Sequence, residues 1–310
     1  MKHIPLISIC IPTNGVVEWV FPTLDSIYKQ GIDNELFEVV ITDNGENQRF
    51  KELIKKYLDI YNNIVYTETN VLPFINEIES YKRANGELIK FLNHRALLAD
   101  NSLLYLIGYV KDNLREKPVT YFSNGVLSIS RAVHEYDTFD NFVKALSYWS
   151  SWSSGMAIWK SDFKKLAMDT SKFNKLFPHT NILFNERNRQ KYIVDNTVIF
   201  SETPQGNRPK GNYDLYGAFG IEYPDIIKQL EKDHSITAET FRFVANKNLE
   251  FIASLYWDYN IRKKYCSYEL GGLVNMYGKY YTKRQFMLKV IRHGCIGCIK
   301  KILKMIGVSQ

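Results

Sequence analysis

Three short polar segments of this chain could do chemistry, because each one interrupts a run of apolar residues. A carboxylate in such a place can accept a hydrogen bond from a base or a ribose, and an arginine can pair with phosphate. The segments are Pro12, Thr13 and Asn14; Asp43 and Asn44; and Asn93, His94 and Arg95.

The apolar runs before the first two segments predict strands. The run Ile7–Ile11 stops at Pro12, and the run Val39–Ile41 stops before Asp43. Apolar residues recur at helical spacing over Trp19–Tyr28, so the predicted order is strand, helix, parallel strand. In open parallel sheets, ligands bind beyond the carboxyl ends of the strands. A nucleotide is therefore the first ligand to expect.

The segments ISICIPTNG, EVVITDNGEN and ANGELIKFLN resemble the amino-terminal half of family 2 glycosyltransferases, whose usual forms read SIVIPTYN, EIIVVDNGS and AKGEYIxFLDSDD. The resemblance covers about residues 5 to 105. It implies a GT-A fold, a nucleotide-sugar donor, cytoplasmic work at a membrane and inversion at the anomeric carbon. It also implies that the segments at Thr13 and Asp43 contact the donor. For Asp43 the alternative is an Asx-turn before Gly45.

The expected fold class is α/β, with a GT-A-like mixed, mostly parallel sheet, flanking helices and a helical carboxy-terminal extension. Residues 1–220 are expected to form the glycosyltransferase domain, with a Rossmann-like donor half (1–122) and an acceptor half (123–220). Residues 221–310 form the helical region with its basic tail. Further strands are predicted at Ile64–Tyr66, Leu88–Leu92, Val119–Phe122 and Val126–Ile129.

The third polar segment departs from the family pattern. Members normally carry Asp-x-Asp here, and these carboxylates hold a divalent cation, Mg²⁺ or Mn²⁺, against the diphosphate. In this chain Asn93 offers one neutral oxygen and His94 suits softer metals. Arg95 is positively charged, as the metal ion is. Three readings stay open. Arg95 or His94 neutralises the diphosphate itself, the site has lost activity, or Asp100 or another carboxylate recruits the metal.

Inversion by direct displacement needs a general base, which in this family is commonly an aspartate of a Glu-Asp-like pair. The expected region has no such pair. His179 is the first candidate, because imidazole accepts protons near neutral pH. Its alternative role is that of an idle residue at a helix start after Pro178. Glu186 and Asp195 are the other candidates.

Residues 203–213 contain Pro, Gly and Asn, which predicts a loop. Its two cations, Arg208 and Lys210, could cover the donor phosphates as part of a lid. The alternative is an ordinary solvated connection.

Positive charge is concentrated near the end of the printed sequence. No acidic residue follows Glu269, whereas eight Lys and Arg residues do, in a chain of net charge +7. Apolar residues alternate with these bases, which favours a helix on an anionic membrane surface. The alternative is a helix docked on the core with its basic face in water. No nucleic-acid module accompanies the bases, and the four cysteines do not suggest a disulfide framework.

The sequence has no charged-then-apolar leader and no run near twenty apolar residues, so we expect a cytoplasmic protein, peripheral on the inner face of the plasma membrane. The predicted function is that of an inverting, hexosyltransferase-type enzyme that moves a sugar from a UDP-sugar to a saccharide or lipid-linked saccharide acceptor. Capsule or O-antigen synthesis is the expected setting. The alternative is a catalytically silent GT-A domain that serves as a binding or scaffolding subunit. Aromatic helices after residue 240 offer a homodimer surface.

Overall fold

The computed structural model describes residues 4–129, 131–166, 172–203 and 211–305. The chain divides into two compact units. One comprises Met1–Phe142 and Trp149–Pro204, and the other comprises Val143–Tyr148 and Gln205–Gln310. The boundary expected at residue 220 falls inside the second unit.

The described residues form ten strands and eleven α-helices. The strands are β1 (Ile7–Thr13), β2 (Phe37–Asp43), β3 (Ile64–Glu68), β4 (Leu88–Phe91), β5 (Ala96–Leu98), β6 (Val119–Phe122), β7 (Val133–Tyr136), β8 (Ala157–Trp159), β9 (Tyr192–Asp195) and β10 (Phe200–Glu202). The helices are α1 (Val17–Tyr28), α2 (Gln48–Ile60), α3 (Asn76–Arg83), α4 (Ser102–Asn113), α5 (Phe139–Leu146), α6 (Lys160–Phe163), α7 (Pro178–Leu183), α8 (Leu215–Gly217), α9 (Tyr223–Lys232), α10 (Ala238–Tyr256) and α11 (Lys283–Met305).

The main sheet of the first unit has the strand order β3-β2-β1-β4-β8. β1 pairs in parallel with β2 and β4, and β2 pairs in parallel with β3, whereas β8 runs antiparallel to β4. The predicted mixed, mostly parallel sheet is confirmed. The parallel register sets Thr13 opposite Asp43, so the two polar segments leave the sheet at the same edge.

Apolar burial explains why β1 and β2 are central. β2 is buried at every position, and β1 is buried at every position except Pro12. Strands that are covered on both faces read as continuous apolar runs. The buried face of α1, with Val20 and Leu24, packs in the same core.

The predicted strand at Val126–Ile129 is wrong. The backbone of Leu127 is bonded to a side chain instead: its N–H donates to Oδ1 of Asn196 at 3.2 Å, and its carbonyl accepts from Nδ2 of Asn196 at 2.8 Å. A side-chain amide thus occupies the groups that a strand ladder would use. β9 is instead flanked by β6 on one side and β7 on the other, in a three-stranded sheet of order β6-β9-β7.

The second unit is mainly helical and has a core of its own. Its buried residues include Leu249, Ile252 and Phe286. Within this core Nδ2 of Asn248 donates to the carbonyl of Phe219 at 2.6 Å. Among the described residues, no helix combines the length and the apolar character needed to cross a bilayer.

A lysine is buried in the main sheet. Lys90 on β4 is 1% exposed, and its Nζ donates to the carbonyl of Ser154 at 2.6 Å and to the carbonyl of Phe91 at 2.8 Å. Burial lowers the pKa of Lys90 to about 7, because apolar surroundings disfavour the ammonium.

We predict that Lys90 makes the stability of the fold depend on pH. Between about pH 7 and 10 the unfolded chain keeps the proton that the folded chain releases, so the free energy of unfolding rises with pH. The slope from this group is at most about 1.4 kcal/mol per pH unit. The Lys90→Met variant keeps the side-chain length but cannot titrate, and it should lack this rise. Urea unfolding of both proteins at about pH 7 and about pH 9.5 measures the difference; equal pH dependence would contradict the lowered pKa.

Candidate functional site

The turns after β1 and β2 pack directly against each other. The N–H of Asn44 donates to the carbonyl of Thr13 at 3.0 Å. A Cβ on Gly45 would overlap the carbonyl group of Asn14, so the close approach of the two backbones requires glycine there. We call the surface that these turns form with the turn after β4 the polar rim; it consists of Thr13, Asn14, Asp43, Asn44 and the Asn93–Arg95 turn.

A buried asparagine that the sequence analysis missed, Asn76, fastens the polar rim. Its Nδ2 donates to the carbonyl of Thr42 at 2.8 Å and to the carbonyl of Thr13 at 3.3 Å. Its Oδ1 accepts from the hydroxyl of Thr69 at 2.8 Å. An amide in the first turn of α3 was the one sequence signal for this role, and that feature is too common to single out a residue.

The Asp43 carboxylate is buried in the polar rim and held on both oxygens. Oδ1 accepts the N–H of Gly45 at 2.9 Å, and Oδ2 accepts the hydroxyl of Tyr66 at 3.1 Å. Burial raises the pKa of Asp43, and the two hydrogen bonds oppose that rise. The Asx-turn is therefore formed. Because each carboxylate oxygen accepts more than one hydrogen bond, the turn is compatible with a ligand contact.

His94 connects the turn after β4 to β1. Its Nδ1 lies 2.9 Å from Oγ1 of Thr13, and that oxygen also accepts the N–H of Gly15 at 3.0 Å. The Thr13 hydrogen can therefore donate to Nδ1, which puts the ring hydrogen on Nε2. Burial, and to a lesser extent the charge of Arg95, lowers the pKa of His94 to about 4. At neutral pH the ring offers an N–H donor without a positive charge.

The Asn93 and Arg95 side chains do not fit a divalent cation. Oδ1 of Asn93 accepts the N–H of Arg95 at 3.2 Å, and the Arg95 guanidinium lies 2.6 Å from Oε2 of Glu202. The one neutral ligand oxygen thus already accepts a hydrogen bond and lies beside a group that repels a cation. Asp100, the alternative carboxylate, is 84% exposed and pairs with Lys29. Nowhere in the described ranges do three His, Cys, Asp or Glu side chains come together as a metal site.

Buried polar side chains hold the backbone of residues 149–154, which we call the clamped turn. Tyr121 on β6, Lys90 on β4, and His179 and Thr180 on α7 all reach its carbonyl groups. The contacts are Tyr121 to the carbonyls of Trp149 and Trp152, Thr180 to Ser150 at 2.9 Å, His179 to Ser151 at 2.9 Å, and Lys90 to Ser154 at 2.6 Å. A turn whose backbone is bonded inside the protein has little freedom to move.

His179, the first base candidate, lies at the start of α7 and is 4% exposed. Its Nδ1 is 3.6 Å from Oε1 of Glu77 on α3, which is 3% exposed. Glu77 directly follows Asn76, the residue that fastens the polar rim. The structure therefore places His179 between the clamped turn and the helix that supports the polar rim.

The other two base candidates lie in separate local networks. Asp195 ends β9, where Oδ2 accepts the hydroxyl of Tyr105 at 2.7 Å and Oδ1 accepts the N–H of Thr197 at 3.0 Å. Oε2 of Glu186 is 3.4 Å from Nε of Arg189. The lid residues Arg208 and Lys210 fall outside the described residues, so the lid stays a prediction.

Comparison with known proteins gives the family. The model of glycosyl transferase family 2 matches residues 8–177. The chain belongs to glycosyl transferase family 2. The matched segment contains the whole polar rim and the clamped turn, so both are parts of the family domain.

Two curated relatives match a shorter segment. The abequosyltransferase of Salmonella typhimurium is 33% identical over 108 residues, which is 34% of this chain and 32% of that enzyme. The poly(ribitol-phosphate) beta-glucosyltransferase of Bacillus spizizenii is 26% identical over 110 residues, 34% of this chain and 17% of that enzyme. The matched segment thus spans a third of the length of the first relative and less of the second.

Solved structures share the fold of this family 2 protein. The TarS fragment 1–349 from S. aureus superposes with a TM-score of 0.57 and 14% identity, over 81% of this chain and 74% of the other. Its complex with UDP-GlcNAc gives a TM-score of 0.54 and 13% identity, over 88% and 80%. The predicted GT-A-like fold is confirmed.

Because Gly45 packs against the backbone of Asn14, a methyl group added at residue 45 should have a large effect on stability. Gly45→Ala should destabilise the protein by about 1–3 kcal/mol, because the two turns of the polar rim must separate. Gly108→Ala is the matched control, since a Cβ at Gly108 meets nothing within 4 Å and the residue lies inside α4. There alanine should stabilise by about 0.5–1 kcal/mol. Thermal unfolding of both variants checks the contrast; similar shifts in the two would contradict the close approach.

Proposed function

We propose that this family 2 glycosyltransferase moves a sugar, with inversion, from a UDP-sugar to a saccharide or lipid-linked saccharide acceptor in the synthesis of a bacterial surface polysaccharide. The observation that carries the proposal is the polar rim. Thr13 and Asp43 lie at the carboxyl ends of adjacent parallel strands, where open α/β sheets bind their ligands. The matched relatives support sugar transfer, since both are named for it.

A uridine nucleotide suits the polar rim. The buried Asp43 carboxylate can accept a hydrogen bond from the uracil N–H or from a ribose hydroxyl. The exposed Asn14 beside it adds a side chain that can both donate and accept. The TarS structure with UDP-GlcNAc supports this choice of nucleotide by analogy of fold.

We propose that the diphosphate is held by protein groups in place of a metal. His94 would donate its Nε2–H as a neutral hydrogen-bond donor. Arg95 would supply the positive charge by exchanging Glu202 for a phosphate oxygen, and guanidinium geometry matches phosphate well. Leaving-group charge would then be stabilised by a fixed donor and one arginine.

We propose that the acceptor binds at the clamped turn. Trp149 and Trp152 lie on it, and both rings are partly exposed, so a sugar face can stack on them. His179 bonds to the same turn and contacts Glu77, whereas Asp195 and Glu186 bond to Tyr105, Thr197 and Arg189. We therefore place the proton acceptor at His179 or at its immediate partner.

The proposal predicts transfer or hydrolysis of a UDP-sugar that survives EDTA. In the same assay Arg95→Ala should lower kcat/KM by about 10- to 100-fold, because one charge-assisted hydrogen bond to the diphosphate is lost. The exposed Arg115, just beyond α4, is the matched control, and Arg115→Ala should change kcat/KM by less than about twofold.

Two other results of this assay would contradict parts of the proposal. Activity that EDTA abolishes and Mg²⁺ restores would contradict the metal-free reading. A wild-type protein that binds and turns over none of a panel of nucleotide sugars would contradict the enzyme proposal and favour the silent scaffolding domain.

We also propose that the protein works at the cytoplasmic face of the membrane and binds anionic lipid through α11. One face of α11 presents Met287, Leu288 and Ile291, which are 38%, 58% and 58% exposed. The exposed bases Arg284 and Arg292 flank them one turn away. Apolar side chains between bases suit a helix that lies in the headgroup region of an anionic bilayer.

Vesicle binding tests this surface in the full chain. The wild type should sediment with phosphatidylglycerol vesicles, bind less in high salt, and bind phosphatidylcholine vesicles weakly. Leu288→Glu/Ile291→Glu should lose most of this binding. The control pair Leu104→Glu/Val274→Glu changes residues that are 55% and 73% exposed and should keep it. Equal binding by both double variants, or no binding by the wild type, would contradict the membrane surface.

A further inference from the structure

One buried pair of titratable side chains has no role in the donor contacts. Oε1 of Glu77 and Nδ1 of His179 are 3.6 Å apart, and the two residues are 3% and 4% exposed. Neither atom has a hydrogen-bond partner among the residues that the structure describes. Buried polar atoms are nearly always bonded, so an exception of this kind is often a functional group.

The contacts of His179 show which groups its two ring nitrogens face. The carbonyl of Ser151 can only accept, so Nε2, at 2.9 Å, carries a hydrogen. An unprotonated Nδ1 would turn its lone pair toward the Glu77 carboxylate, and the two would repel. A hydrogen on either of these two atoms removes this repulsion. Both ring nitrogens of His179 thus face protein groups, Nε2 the carbonyl of Ser151 and Nδ1 the Glu77 carboxyl group, and neither faces a substrate hydroxyl.

The other groups that the structure places around the pair carry no charge. Tyr81, one helical turn along α3, is fully buried, and burial together with the Glu77 carboxylate holds the pKa of its phenol well above the usual range. It stays neutral. The ring of Phe177 packs edge-on against His179, at a centroid distance of 6.1 Å. Glu77 therefore faces one imidazole and one neutral phenol.

Glu77 lies between the polar rim, where we propose that the donor binds, and the clamped turn, where we propose that the acceptor binds. On its amino side Asn76 bonds to the carbonyls of Thr13 and Thr42 under the polar rim. Across from it His179 bonds to Ser151 in the clamped turn. Asp195 and Glu186 have no comparable link to both surfaces among the described contacts.

We propose that Glu77 is the general base of the transfer reaction and that His179 is the positioning residue that holds it. The inference rests on the proposed function, and it reverses the roles that the sequence suggested. The acceptor hydroxyl would pass its proton to Oε2 of Glu77 while its oxygen bonds to the anomeric carbon. The bond from that carbon to the diphosphate oxygen breaks, and its electron pair leaves with UDP. Glu77 ends as a neutral acid that stays beside His179.

The experiment measures kcat, acceptor KM and UDP affinity for the wild type and four variants. Glu77→Gln should lower kcat by about 10²- to 10⁴-fold with unchanged UDP affinity, because a positioned base contributes that much. Glu77→Asp keeps a withdrawn carboxylate and should lose at least about tenfold, yet remain more active than Glu77→Gln. His179→Asn should reduce kcat less than Glu77→Gln does.

Glu79→Gln is the matched control. Glu79 lies two residues after Glu77 on α3, and its side chain is 16% exposed and pairs with Lys82 and Arg83. The kcat of the Glu79→Gln variant should therefore stay within about twofold of the wild-type value. A Glu77→Gln protein that binds UDP normally and keeps kcat within about twofold would overturn the inference. So would a greater loss in His179→Asn than in Glu77→Gln. If Glu77→Gln does not fold, a Glu77→Asp protein with wild-type kcat would overturn it equally. An inactive wild type would instead refute the proposed function.

Discussion

The close approach of two backbone turns, at Asn14 and Gly45, is the constraint on which the rest of the site depends. It brings the ends of β1 and β2 together so that Thr13 and Asp43 face the same edge of the sheet. The side chain of Asn76 donates hydrogen bonds to both strand ends, and the hydroxyl of Thr13 orients the His94 ring. The polar rim is therefore held in one arrangement by the protein itself, which lowers the entropy that a ligand would lose on binding there.

A second constraint concerns the clamped turn, where several buried polar side chains bond to one short stretch of backbone. Lys90 loses much of its basicity in the core, and His179 is enclosed with a carboxylate, yet both bond to carbonyls of residues 149–154. Burying such groups costs free energy unless they are well bonded. The same side chains that fix the turn also connect it to β4 and α3, which carry the Asn93–Arg95 turn and Asn76. The polar rim and the clamped turn are thus connected through buried side chains of the first unit.

The sequence predicted those features that are encoded by neighbouring residues. An apolar run that stops at Pro12-Thr13-Asn14, or before Asp43, marks a strand end by itself, and the family pattern then identified the Asn93–Arg95 turn as the altered one. Features that depend on partners far along the chain were missed. Asn196 prevents a strand at Val126–Ile129, Asn76 bonds to β1 and β2, and Glu77 meets His179 across about a hundred residues. His179 was singled out, but its hydrogen-bond partners, which decide its chemistry, were not visible.

The most direct test of the central claim is a crystal structure of the protein with UDP and Mn²⁺, recorded with the anomalous signal of manganese. The account predicts the nucleoside against Thr13 and Asp43, the diphosphate within hydrogen-bond distance of His94 Nε2 and the Arg95 guanidinium, and no manganese peak between the phosphates and residues 93–95. A nucleotide bound away from the polar rim, or a manganese ion that bridges the diphosphate to that turn, would contradict it.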